Sequence, residues 1–323
     1  MSNEFDVVVA GGGIAGLTAG LTSARLGRST LVLAGDVFGG QLLSIEKVEG
    51  FPGHPDGIPG YDLCPMTQEA AADAGAEIAP ASLQGIAADG ECWRLASGDG
   101  DYLARAVIVA TGSSLKELGL PGEARLRGKG VSHCATCDGP LMRNRVLAVV
   151  GGGDSAMQEA LTLAQFASRV VMLQRGGELT GQAIFRERIA QNGKIEVRLN
   201  AAVEEVLGET TVTGVRVRDA QGASADLECS GLFVYIGLQP NTAFLKNFMV
   251  LTTSGHVPTD DAMRTQHRGV GAAGSVRAGA VGRAVGSAGD GSTAAVAIDR
   301  YLTTGSWSDG AREHSAKPPN RGD

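Results

Sequence analysis

The segment His133-Cys134-Ala135-Thr136-Cys137-Asp138-Gly139 holds the one close pair of cysteines in a chain of 323 residues. Two intervening residues bring both sulfurs within reach of a single metal ion or of each other. Half of a zinc site, a redox-active dithiol and a pair of buried thiols are all open readings, and the elements around the pair have to separate them.

A chain of this length fits two or three domains, each able to bury a core without a metal or disulfide staple. Its 28 Lys and Arg against 35 Asp and Glu leave a formal charge of -7. No cluster of cations marks a phosphate-backbone footprint, so nucleic acid is not an expected partner. No run of about eighteen apolar residues occurs, so no membrane-spanning helix is expected. The N-terminal MSNEFDVVVAGGG enters an apolar strand without the features of a secretory signal, which makes a cytoplasmic location the expectation. Cys64, Cys92 and Cys229 stand alone, and five cysteines in so long a chain do not form a secreted disulfide framework.

Glycine accounts for 48 residues, so a G-x-G-x-x-G match arises by chance about once and context has to decide. Gly269-Val-Gly-Ala-Ala-Gly274 matches, but it follows polar TQHR and leads into no apolar helix. Gly11-Gly-Gly13-Ile-Ala-Gly16 follows the buried-strand run FDVVVA, opens the helically spaced IAGLTAGLTSARLG, and is followed by a second strand, STLVLAG, over residues 29–35. The same order returns with RVLAVV, then Gly151-Gly-Gly153-Asp154-Ser155-Ala156, then MQEALTLAQFAS and RVVMLQR. In each unit the first glycine permits a tight bend and the second lets a pyrophosphate approach the backbone. The third small residue, Gly16 or Ala156, lets the helix pack on the strand with its N-terminus facing the phosphates.

ARAVIVATGSS (104–114) and SGLFVYIGLQPN (230–241) each read as a buried strand ending in a small-residue turn, one closing each unit. Beyond residue 244 the chain resumes with TTSGHVPTDDAMRTQ and reaches a last helix at GSTAAVAIDRYL. The polar tail over 311–323 reads as disordered, and its closing RGD as a coincidence in a solvated segment.

Taken in order, GGGIAG, GGQL (39–42), FPG (51–53), VIVATGSS, GKGVSHCATCDG, VVGGGDSA, ASRVVMLQR and YIGLQPN resemble the landmarks of the low-molecular-weight thioredoxin reductases, from about residue 5 to 302. The resemblance implies an α/β fold of two Rossmann-like dinucleotide-binding domains. The nicotinamide domain, residues 116–243, is inserted in an FAD domain made of 1–115 and 244–310. It implies FAD and NADPH or NADH as cofactors, thioredoxin or a similar small dithiol protein as partner, and a homodimer.

By position, Cys134 is then expected to attack the partner disulfide, Cys137 to face the flavin, and Asp138 to be the acid-base group. His133 is expected to be a partner-surface or hydrogen-bonding side chain rather than a base. Flavin contacts are expected from Gly11, Gly13, Gly16, Gly35, Gly40, Gln41, Leu42, Thr111, Gly112, Ser275, Arg283 and Ala284. Nicotinamide contacts are expected from Gly151, Gly153, Asp154, Ser155, Ala156, Arg175, Ile236 and Gly237. Zinc is disfavoured on ligand count: a closed site takes four ligands, and no second C-x-x-C or spaced histidine pair accompanies this one.

Several positions depart from the family pattern. Ser275 replaces an aspartate that accepts a ribityl hydrogen bond, which implies a bond without charge assistance and looser FAD binding. Gly282-Arg283-Ala284 replaces Arg-Gln-Ala, Gly50 stands where an asparagine is usual, and Ala34 stands for a ribose-binding acid that Asp36 partly replaces. Gln174-Arg175-Gly176-Gly177 replaces the His-Arg-Arg that grips a 2′-phosphate, so Arg175 alone carries that task. The leading expectation is a reductase passing electrons from NAD(P)H through FAD to the Cys134/Cys137 pair and on to a thioredoxin-like protein. A flavin-dependent dithiol oxidase that uses oxygen without nicotinamide, and an FAD-binding redox sensor without turnover, are the alternatives.

Overall fold

The computed structural model describes residues 3–35 and 38–308. The first unit opens with β1 (Glu4–Ala10), whose Val7, Val8 and Val9 are wholly buried. A strand covered on both faces reads as an unbroken apolar run, as in parallel sheets with helices on each side. Helix α1 (Ile14–Arg25) returns the chain to β2 (Thr30–Leu33), and α2 (Gly60–Asp73) leads to β3 (Glu77–Ala79). A hairpin of β4 (Leu83–Asp89) and β5 (Cys92–Ser97) precedes β6 (Gly100–Val109). The sheet order is β3-β2-β1-β6-β5-β4, parallel from β3 to β6 and antiparallel from β6 to β4.

The chain leaves on β7 (Ser113–Leu115) for a second unit. This contains α3 (Glu123–Leu126), β8 (Val131–Ser132), α4 (Ala135–Asp138), β9 (Val146–Val150), α5 (Asp154–Ala164) and β10 (Arg169–Gln174). It continues through α6 (Ala183–Gln191) and β11 (Ile195–Leu199) to the antiparallel meander β12 (Ala202–Leu207), β13 (Gly214–Arg218) and β14 (Ser224–Glu228). With β15 (Gly231–Val234) the parallel sheet reads β11-β10-β9-β15-β8. The return strand β16 (Leu238–Pro240) pairs antiparallel with β7, Gln239 facing Ser114. β17 (Val270–Ala272) then joins the first sheet against β6, and α7 (Ala284–Thr304) lies on α1. The first sheet is thus built from two stretches of chain, with the second sheet formed wholly between them.

Helix α7 begins well before the GSTAAVAIDRYL segment read as helical from the sequence. Gly286 and Gly289 weaken the local helical signal, yet small residues let α7 approach α1 closely. A Cβ on Gly291 would lie 2.1 Å from the Ala15 carbonyl oxygen. The polar tail over 311–323, its RGD, and Asp36 lie outside the described residues. Gly291→Ala is expected to lower unfolding stability by about 1–3 kcal/mol through overpacking, seen as a lower midpoint in urea; an unchanged midpoint would show that α7 is free to shift.

Candidate active site

The C-terminal ends of β1, β2, β6 and β17 open onto a cleft of about 1340 Å³, larger than the ~300–1,000 Å³ of pockets for drug-sized ligands. Gly11 has φ +126°, and a Cβ there would lie 2.1 Å from Ala110 O; a Cβ on Gly16 would lie 1.8 Å from Gly11 O. These contacts draw α1 down onto the strand ends. Gly13, the N-cap of α1, has open space where a Cβ would be, and no side chain caps the helix. Its first-turn N–H groups are therefore available to an anion.

Gly11, Gly13, Gly35, Gly40, Gln41, Leu42, Thr111, Gly112, Ser275, Arg283 and Ala284 all line this cleft, whereas Gly16 is a packing residue outside its lining. Ser275 Oγ makes no hydrogen bond within the described protein, so its hydroxyl is free for a ligand. Gly12, Ser82, Lys116, Asn241, Thr242 and Ser287 line the cleft as well, and of these Ser82, Lys116, Thr242 and Ser287 carry no motif signal in the sequence. Asn241 pins the turn after β6: its Nδ2 donates to Thr111 O at 3.0 Å and its Oδ1 accepts from Ser114 Oγ at 2.8 Å. An open N-cap, an uncapped helix and a free hydroxyl on one elongated cleft fit a dinucleotide such as FAD.

A second glycine turn follows β9. Gly151 has φ +134° and its Cβ would lie 2.2 Å from Tyr235 O; Gly153, the N-cap of α5, is open and uncapped. Ala156 is buried under the turn and Ser155 is exposed. The Asp154 carboxylate accepts from Gln182 N at 2.6 Å and pairs with Arg283 at 2.7 Å, so a residue of the cleft reaches the second unit. Arg175 is exposed and forms no ion pair among the described residues. Gln174 fills the space above Gly152 and donates Nε2 to Glu178 O at 3.1 Å. Ile236 and Gly237 follow β15, where Gly237 O accepts from Lys116 N at 3.0 Å and leads the chain into β16.

Cys134 and Cys137 form a disulfide with Cα atoms 5.3 Å apart. Cys134 caps α4: its sulfur accepts the Cys137 N–H at 3.2 Å, and its carbonyl accepts from Asp138 N. Cys137 is the more exposed residue of the pair. Thr136 Oγ1 donates to Ser44 O at 3.4 Å, so the dithiol turn rests on the Gly40–Ser44 loop whose Gln41 and Leu42 line the cleft. His133 is half-buried: its ring has a backbone hydrogen bond with Lys116 while Nε2 has no partner among the described residues, and burial holds the ring below its ordinary range.

Residues 5–298 match the pyridine nucleotide-disulphide oxidoreductase family. The chain belongs to this family. It is 38% identical over 305 residues to the thioredoxin reductase of Treponema pallidum, covering 94% of this chain and 99% of the relative. The solved thioredoxin reductase of Lactococcus lactis matches at 32% identity with a TM-score of 0.90, over 93% of this chain and 99% of that one. That of T. acidophilum matches at 32% identity and a TM-score of 0.90, over 94% and 100%. The chain is accordingly a thioredoxin-reductase-like flavoprotein enzyme, and FAD and a pyridine nucleotide are its cofactors.

This pyridine nucleotide-disulphide oxidoreductase also carries a buried acid beside its dithiol that no sequence motif marks. Glu159 on α5 is 3% exposed, and burial pushes its carboxyl up to about 7. A carboxyl whose folded pKa lies above its unfolded value stabilises the fold fully below the unfolded value, about 4.5, and loses that contribution as pH rises through about 7. Glu159→Gln is expected to match the wild type below pH 4.5 and exceed it above pH 7 by on the order of 3 kcal/mol. Urea titrations across this range check it; parallel stability curves would contradict it.

Proposed function

We propose that this enzyme passes an electron pair from NAD(P)H through FAD to the Cys134–Cys137 disulfide and on to the disulfide of thioredoxin or a similar small protein. The contact of the dithiol turn with the cleft wall, through Thr136 and Ser44, carries this reading. The sheet assembled from both ends of the chain supports residues 1–115 and 244–310 as the FAD-binding domain. The sheet formed between them supports 116–243 as the nicotinamide domain. The cleft-lining residues named above are assigned to FAD, and the second glycine turn with Asp154, Ser155, Ala156, Arg175, Ile236 and Gly237 to the nicotinamide. A cytoplasmic homodimer is part of the same reading.

When bound, the two cofactors supply the electron pair that opens the disulfide. The chain's own task is then to make one sulfur a nucleophile. The Cys137 N–H on the Cys134 sulfur favours negative charge there, so we assign attack on the partner disulfide to Cys134. Its thiolate forms a mixed disulfide as the partner's other sulfur departs, and Asp138 is assigned to protonate that sulfur. Cys137 then closes on Cys134 and frees the second partner sulfur. Arg175 is the cation offered to a 2′-phosphate, beside a Gln174 that is already engaged, so discrimination between NADPH and NADH is expected to be modest.

Anaerobic stopped-flow mixing tests the whole path. Both nicotinamides are expected to bleach the flavin, with NADPH favoured about tenfold or less and Arg175→Ala removing that preference. Added thioredoxin is then expected to restore the oxidised spectrum in the wild type but not in Cys134→Ser. A flavin bleached by a small dithiol and by neither nicotinamide would replace this reading with the dithiol oxidase.

A further inference from the structure

The Glu159 carboxyl lies against the N-terminus of the dithiol helix. Its Oε2 accepts the Ala135 N–H at 3.3 Å and the Tyr235 hydroxyl at 3.4 Å. Tyr235 is itself buried, directly after β15, the strand paired with β9. Among the described residues Glu159 has no ion pair, and the charged groups facing this pair are acidic: Glu46 from the loop of the first unit and Asp138 from α4. Burial, with Glu46 adding to it, favours the protonated acid, while Tyr235 is held well above the ordinary phenol range and stays a hydrogen-bond donor.

Two N–H groups at the start of α4 are divided between two acceptors. Ala135 donates to Glu159, and Cys137 donates to the Cys134 sulfur. In the reduced enzyme, a carboxylate on the first and a thiolate on the second would place two negative charges on one helical turn, the carboxylate buried and the sulfur only partly open to solvent. Such sites do not ionise independently.

We propose that Glu159 is a positioning residue that shares a single negative charge with the dithiol, holding a proton while Cys134 is a thiolate and yielding it when Cys134 is a thiol. The proton balance follows. With Glu159 protonated beforehand, the disulfide takes two electrons and one proton to give one thiolate and one thiol. With Glu159 ionised beforehand, it takes two electrons and two protons, the second ending on Glu159. The electron pair is the one that the proposed function delivers, and Cys134 is left as the thiolate that disulfide exchange requires.

The inference rests on Cys134 and Cys137 being the redox pair of the proposed function, but its test needs no nicotinamide. The full-length, flavin-loaded enzyme is equilibrated with dithiothreitol redox buffers from about pH 6 to 8, and free thiols are counted by alkylation. The wild-type dithiol potential is expected to fall about twice as steeply with pH above the Glu159 transition as below it. Glu159→Gln is expected to show the shallower slope throughout, and Glu159→Asp to restore a break. A purely structural contact would shift all these curves together; identical slopes in wild type and Glu159→Gln overturn the proposal. If Glu159→Gln does not fold, the infrared difference spectrum of wild-type enzyme above the transition decides. Reduction is expected to add a protonated carboxyl band that Tyr235→Phe displaces, and no such band overturns the proposal. A disulfide that equilibrates in an enzyme whose flavin no nicotinamide bleaches would remove the proposed electron source and leave this inference standing.

Discussion

Two helices in this protein have to start flush against the ends of the strands that feed them, and that constraint governs the rest. At Gly11 and Gly151 the backbone turns with positive φ while touching a neighbouring carbonyl, Ala110 O in one case and Tyr235 O in the other. Any side chain at either position would lift the helix from the sheet. Because α1 and α5 lie so low, their uncapped N-termini open at the sheet edge, where a diphosphate can meet backbone N–H groups directly. The same placement of α5 puts Glu159 beneath α4 and so fixes the disulfide relative to the second nucleotide turn.

Several of the side-chain contacts between the two units, among the described residues, are open to solvent. The chain passes between them on β7 and β16, which form a three-residue ladder. Side-chain bridges between them include Arg283 with Asp154 and Arg188 with Glu49, both in reach of solvent. Pairs of this kind contribute about 0–1 kcal/mol each, small beside the buried cores of either sheet. The dithiol thus sits on α4, held to its own unit through Glu159 and touching the other through Thr136, which suits a group that must meet both an internal donor and an external acceptor.

Sequence made the strongest local signals legible. Buried parallel strands such as β1 and β9 are unbroken apolar runs, and each precedes a glycine turn and a helix, so both units and most of the cleft lining could be read. The β4–β5 hairpin and the β12–β14 meander could not, because their strands are largely half-exposed or exposed and polar in part, leaving no unbroken apolar run. Gly16 shows the packing role that the third position of the turn implies, since a Cβ there would meet Gly11 O. Glu159 stayed hidden for a different reason. In MQEALTLAQ a glutamate reads as part of a solvated helix face, and its burial depends on α4, which arrives from 24 residues earlier in the chain.

The central claim is that the Cys134–Cys137 disulfide is an electron-accepting partner of the bound flavin. The most direct measurement is an anaerobic reductive titration of the purified flavoprotein, followed by its visible spectrum and by thiol counting. Complete reduction of the wild type is expected to consume two electron pairs per chain, against one for Cys134→Ser or Cys137→Ser. Equal consumption by wild type and variants, with the wild-type disulfide intact at the end, would contradict the claim.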